Sequence, residues 1–117
     1  MVVQKFGGTS VADPDAIRRL LEIVRTARAR DGRGPAVVVS AMSKVTDTLL
    51  GLAADAGQGR VIEALAAVDV VRERHLAAAQ ALAPDDEALT AAIHEETSSL
   101  GAIVSAETNP SLLERPC

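Results

Sequence analysis

Lys5-Phe6-Gly7-Gly8-Thr9-Ser10 sets a cation, two adjacent glycines and two hydroxyls side by side. Glycines let a backbone approach a ligand closely, and successive N–H groups in such a turn can point at an anion. Lys5 adds a mobile positive charge. Together these groups suit a phosphate and the charge that builds up in phosphoryl transfer, where positioning and electrostatics are most of the catalytic task. A glycine turn beside a solvated lysine is the plainer alternative, since such turns commonly follow strands. A second polar stretch, Ser40-Ala41-Met42-Ser43-Lys44-Val45-Thr46-Asp47, brings further hydroxyls. Its plainer alternative makes Ser43 or Thr46 a helix cap and Ser40 a strand-end hydrogen bonder. Neither stretch has the glycine spacing of a Walker A loop or a dinucleotide fingerprint.

The elements around these stretches decide whether they can meet. Val2 to Phe6 is an apolar-biased run ended by Gly7-Gly8, which predicts a strand and a tight turn. Asp13 before Pro14 predicts an N-cap, and Ile17, Leu20, Leu21, Val24 and Ala27 recur at helical spacing, so a helix is expected from Pro14 to about Arg30. Asp31, Gly32, Gly34 and Pro35 end it, and Ala36 to Ser40 has the composition of a strand buried on both faces. Strand, helix, strand makes a βαβ unit with parallel strands whose carboxyl ends share one edge. Ligands of open α/β sheets sit outside that edge, so both polar stretches are expected to border one crevice.

Beyond it the chain turns helical. Helices are expected over Val45 to Ala56 and Arg60 to Leu82, with Val61, Leu65, Val68, Val71 and Leu76 forming much of an apolar stripe. Asp85 or Asp86 can cap a last helix running through Leu89, Ala92, Ile93 and Glu96 towards Leu100, with Gly101 as its stop. Two parallel strands followed by helices do not make a finished sheet, because parallel sheets are covered on both faces and contain more strands. Partner strands are therefore expected beyond Cys117.

Composition narrows the function classes. With 48% apolar and 24% charged residues in 117, a buried core is affordable and disorder is a poor description. A net charge of -4 leaves no basic face for nucleic acid or an anionic membrane. No apolar run reaches the length of about 18 residues that a membrane span needs; Glu63, Asp69, Arg72, Glu73 and Arg74 interrupt the alanine-rich stretch. The start lacks the pattern of a signal peptide, so the cytoplasm is the expected compartment. Cys117 is the sole cysteine, which excludes an internal disulfide. His75 and His94 have no third ligand at suitable spacing, so no metal site is expected.

Val3 to Ala12, Val-Gln-Lys-Phe-Gly-Gly-Thr-Ser-Val-Ala, closely resembles the amino-terminal signature of aspartate kinases. Val37 to Leu50, Val-Val-Val-Ser-Ala-Met-Ser-Lys-Val-Thr-Asp-Thr-Leu-Leu, resembles that family's second segment. Two long matches in register are far more specific than either loop. The resemblance implies an α/β fold, a partial amino acid kinase-like αβα sandwich with parallel strands and a helix-rich second half. It makes residues 1–105 the amino-terminal part of such a domain and 106–117 a divergent tail. It implies transfer of the ATP γ-phosphoryl group, Mg2+ arriving with ATP, to the β-carboxylate of L-aspartate, giving 4-phospho-L-aspartate for lysine, threonine and methionine biosynthesis.

By the same resemblance Lys5, Phe6, Gly7 and Gly8 hold the nucleotide phosphates, with Lys5 as catalytic charge stabiliser. Thr46, Ser40 and Thr9 fall on the aspartate side, and the full-length parent is a homo-oligomer. The family's next motif, Ser-x-Gly-Glu, meets Ser105-Ala106-Glu107 here, so the glycine is missing and Glu107 takes the glutamate position only after a one-residue deletion. Later family segments are absent, and the isolated chain is expected to be inactive. The alternatives are another amino acid kinase, such as a carbamate, acetylglutamate, glutamate or uridylate kinase, and a non-catalytic interaction fragment.

Overall fold

The computed structural model describes residues 2–107. The expected roles of the Glu107 side chain and of the divergent tail from residue 108, including Cys117, lie outside the described residues. The chain divides after Thr46 into two compact units.

The first unit is the expected βαβ. Strand β1 (Val3–Phe6) leads through a 3₁₀ turn (Gly8–Val11) into helix α1 (Pro14–Asp31) and then strand β2 (Ala36–Val39). The strands pair in parallel, Val3 opposite Ala36 and Phe6 opposite Val39. Local chemistry explains both ends of α1. Asp13 Oδ1 accepts the Ala16 N–H at 2.8 Å, Pro14 occupies the first turn, and Gly32 closes the helix at φ 77°, its N–H donating to Arg28 O at 2.9 Å. Ala16, Leu20 and Ala27 are buried. Ile17 and Val24 are half-buried, whereas Leu21 is exposed and falls off the stripe.

Strand β2 departs from expectation. Val37, Val38 and Val39 are 41%, 51% and 54% exposed, so the strand is open on both faces rather than covered. Among the described residues β2 pairs with β1 alone. A run of valines records a demand for cover, and residues 2–107 do not supply it.

Strand alternation also leaves a polar atom stranded. Gln4 Oε1 is buried without a hydrogen-bond partner, beside Ile23, Thr26 and Ala27 of α1. An unpaired buried acceptor costs about 1–3 kcal/mol, whereas an apolar replacement of similar shape avoids that cost. Gln4→Met is therefore expected to raise unfolding stability by about 1 kcal/mol. Urea unfolding followed by circular dichroism checks this, and a lower midpoint would show that the amide is satisfied after all.

The second unit is helical. Helix α2 (Val45–Gly57) begins on the last two residues of the first unit, and α3 (Val61–Leu82) and α4 (Glu87–Glu107) follow. Leu52, Ala56, Ala64, Val68 and Val104 form the core, with Leu65, Ala67 and Leu100 packed against it. Helices α3 and α4 run antiparallel: Arg72 Nε donates to Thr97 Oγ1 at 2.9 Å, and Leu65 lies beside Gly101. Thr97 in turn donates to Ile93 O at 2.7 Å, so this buried hydroxyl is satisfied. Asp86 takes the capping role at α4, accepting the Leu89 N–H at 2.9 Å.

Gly101 does not stop α4, which continues to Glu107. A Cβ built there would stand 3.9 Å from Leu65 Cδ2, an ordinary contact, and the backbone is not left-handed. The fold thus needs no glycine at this position. Gly101→Ala is expected to stabilise the chain by about 0.5–1 kcal/mol through helix propensity and a less flexible unfolded state. A fall in the urea midpoint would mean that Leu65 cannot accept the methyl group.

Candidate functional site

The carboxyl edge of the two-stranded sheet carries both polar stretches. The ladder extends one residue past β2, where the Ser40 N–H donates to Phe6 O at 3.1 Å, mirroring Ala36 N–H to Val2 O at 2.8 Å at the other end. Ser40 is thereby fixed beside the residue that opens the glycine turn. That turn is closed by the Ser10 N–H donating to Gly7 O at 3.0 Å.

Gly8 brings the stretches into contact. A Cβ built on it would lie 3.6 Å from Ser43 Cα, 3.8 Å from Ala41 O and 3.9 Å from Ser40 Oγ. Gly7 has no atom within 4 Å of its Cβ position and an extended backbone at φ −81°, ψ −178°. Neither space nor conformation explains a glycine there. The second loop turns sharply into α2: the Val45 N–H donates to Met42 O at 3.0 Å, and Lys44 takes a left-handed φ of 70°. It is the one non-glycine residue with positive φ among those described. Such a conformation disfavours side chains, and lysine gives no sequence signal for it. Thr46, exposed in the first turn of α2, follows Ser43 by three positions.

The expected site residues fall on two faces. Gln4 and Phe6 are half-buried towards α1, whereas Val3 and Lys5 alternate to the opposite face and are exposed. Lys5 shares its face with Val38, its register partner. Phe6 and Thr9, by contrast, line a depression against α1 that also includes Arg19, a residue the sequence patterns did not single out. Gly7, Ser40 and Thr46 are exposed, and Gly8 is partly covered by the second loop. The structure therefore unites Gly8 with the Ser40 to Ser43 loop and separates Phe6 from Lys5.

No group of three or more His, Cys, Asp or Glu side chains able to hold a metal occurs among the described residues. His75 Nδ1–H donates to Val71 O of its own helix at 2.7 Å. No described helix is long and apolar enough to cross a membrane.

The sequence pattern of the amino acid kinase family matches residues 1–116. The chain belongs to this family. Among named proteins it is similar to the aspartokinase of Mycolicibacterium smegmatis, 57% identical over 54 residues, which is 45% of this chain and 12% of that protein. It is similar to the aspartokinase of Rickettsia conorii, 40% identical over 70 residues, or 60% of this chain and 17% of that protein. A longer match is to the chloroplastic bifunctional aspartokinase/homoserine dehydrogenase 2 of Arabidopsis thaliana, 36% identical over 106 residues, 89% of this chain and 11% of that protein. The matched stretch thus spans between 11% and 17% of these relatives. A parallel βαβ unit followed by helices is the part of an amino acid kinase-like fold that these residues build.

Proposed function

We propose that this chain is the amino-terminal segment of an aspartokinase, supplying the nucleotide-phosphate loop and one wall of the amino-acid site. The observation that carries this is the close approach of Gly8 to Ser40, Ala41 and Ser43, which sets two loops of aspartokinase-like sequence against each other. The names of the relatives support the substrate. In the proposed reaction a β-carboxylate oxygen of L-aspartate attacks the γ-phosphorus of ATP, the bridging P–O bond breaks, and ADP leaves with its electron pair and with Mg2+. The transition state concentrates charge on the transferred oxygens, so fixed donors lower its energy.

In this scheme the Gly7 and Gly8 amides and the Lys5 ammonium hold phosphate oxygens. Thr46 and Ser40 orient aspartate, and Thr9 and Phe6 support the glycine turn from the α1 side. Mg2+ enters as part of the nucleotide substrate. The chain supplies only part of an active centre, so it should bind but not turn over. Adding MgATP to the isotope-labelled chain is expected to shift the Gly7 and Gly8 amide resonances, while trapping with hydroxylamine detects no aspartyl phosphate. Unchanged Gly7 and Gly8 resonances would remove the phosphate loop from the proposal, and hydroxamate formation would show that the chain is a complete enzyme.

A further inference from the structure

The depression between the glycine turn and α1 carries features of its own. Its volume is about 250 Å³, and it lies on the face of β1 opposite Lys5. Part of its lining is apolar: half-buried Phe6, buried Leu20, and Ile23, which is 49% exposed. Thr9, Ser10 and Arg19 contribute polar groups to the same lining. Neither hydroxyl is engaged by another protein group among the described residues.

Arg19 differs from its neighbours along α1. Asp15, one turn before it, is paired with Arg18 at 2.9 Å, and Glu22, three residues after it, is paired with Arg25 at 2.8 Å. Both acids within helical reach are thus committed elsewhere, and Arg19 has no carboxylate partner among the described residues. A lining that combines a guanidinium, two hydroxyls and apolar side chains matches a ligand with an acidic head and a hydrocarbon body.

We propose that this depression binds a small aliphatic carboxylate. Arg19 takes the carboxylate together with the Thr9 and Ser10 hydroxyls, and Phe6, Leu20 and Ile23 take the hydrocarbon. The inference goes beyond the phosphate-loop proposal and stands without it, because Arg19 and the apolar lining lie on the α1 side of β1, away from Lys5.

The test titrates the isotope-labelled chain with valerate, acetate, neutral valeramide and inorganic phosphate, following backbone amides by NMR. Valerate is expected to give saturable shifts at Thr9, Ser10 and Arg19, with acetate weaker and valeramide silent. Arg19→Gln is expected to weaken valerate binding by about tenfold or more. The exposed position of Arg19 should leave circular dichroism unchanged in this variant, and Ile23→Ser offers a second variant that weakens valerate while sparing acetate. Equal responses to valerate and valeramide would overturn the role of the charge. Equal responses to phosphate and valerate would overturn the aliphatic class, and no saturable response would remove the site. MgATP serves as an internal comparison: loss of its effect at Gly7 and Gly8, with valerate still binding, sinks the phosphate loop alone.

Discussion

Replacing Gly7 with valine is expected to leave the chain folded and at least as stable as before, yet to weaken MgATP binding by about tenfold or more. At this residue the needs of the fold and the needs of a ligand diverge. Gly7 sits at φ −81°, ψ −178°, a conformation that β-branched residues favour, and no atom lies within 4 Å of its Cβ position. Substituting glycine at such a site reduces the freedom of the unfolded chain, which tends to stabilise by about 0.4–1 kcal/mol. The effect on a bound phosphate runs the other way, because amide donors must approach to about 2.9 Å and branched carbons beside them keep the anion out.

Gly7→Ala should fall between wild type and Gly7→Val, since a single methyl group obstructs less. Gly8→Ala is a useful contrast: its methyl group would make ordinary contacts with Ser43 and Ala41, so any change there mixes packing with ligand contact. Nucleotide affinity from the amide shifts and the urea midpoint from circular dichroism are measured on the same samples. Wild-type ATP affinity in Gly7→Val would show that the turn does not touch phosphate. A large loss of stability would show that the residue is structural.

The parts of the molecule legible in its sequence are those whose signals are local. Asp13, Pro14 and Gly32 each act on the backbone within a turn of where they stand, and all three take their expected roles around α1. The order of strand, helix and strand follows from runs of residues, and parallel pairing follows from the handedness of the crossover. That pairing then places both polar loops at one edge.

What was not legible depends on neighbours. Gly101 has the same letter whether it caps a helix in a left-handed turn or lies inside one beside Leu65. The valines of β2 indicate a need for cover without saying which residues satisfy it. Arg19 stands apart because Asp15 and Glu22 pair with Arg18 and Arg25, a selection among near-equal partners along one helix that no residue pattern encodes. The assignment of Phe6 and Lys5 to opposite faces was implicit in strand alternation, but the family resemblance groups them in one string. Only the structure sets them apart.

Ala64→Leu is expected to have the largest effect on stability, lowering it by about 3 kcal/mol. Ala64 is fully buried, at 0% exposure, in the core formed with Leu52, Ala56, Val68 and Val104. Helices α3 and α4 meet closely here because Ala64 and Val68 on one and Val104 on the other carry no more than a methyl or an isopropyl group, so backbones approach where larger side chains would hold them apart. Leucine would have to displace a helix or take a strained rotamer, and either forfeits contacts along the α3 and α4 pair. Its slight advantage in water-to-interior transfer cannot be realised without room to occupy.

Against a total stability of about 5–15 kcal/mol for a small domain, a loss of that size is a large fraction. With a urea slope of about 1–3 kcal/mol per molar, the midpoint should fall by about 1–3 M. The chain has no tryptophan or tyrosine, so the helical circular dichroism signal is the natural readout. Val68→Ala tests the opposite error: it removes two buried methyl groups and should cost about 2 kcal/mol, by leaving a void rather than by crowding. If Ala64→Leu left the midpoint unchanged while Val68→Ala lowered it, the space around Ala64 would be open, and α3 and α4 would not pack as closely as their small residues imply.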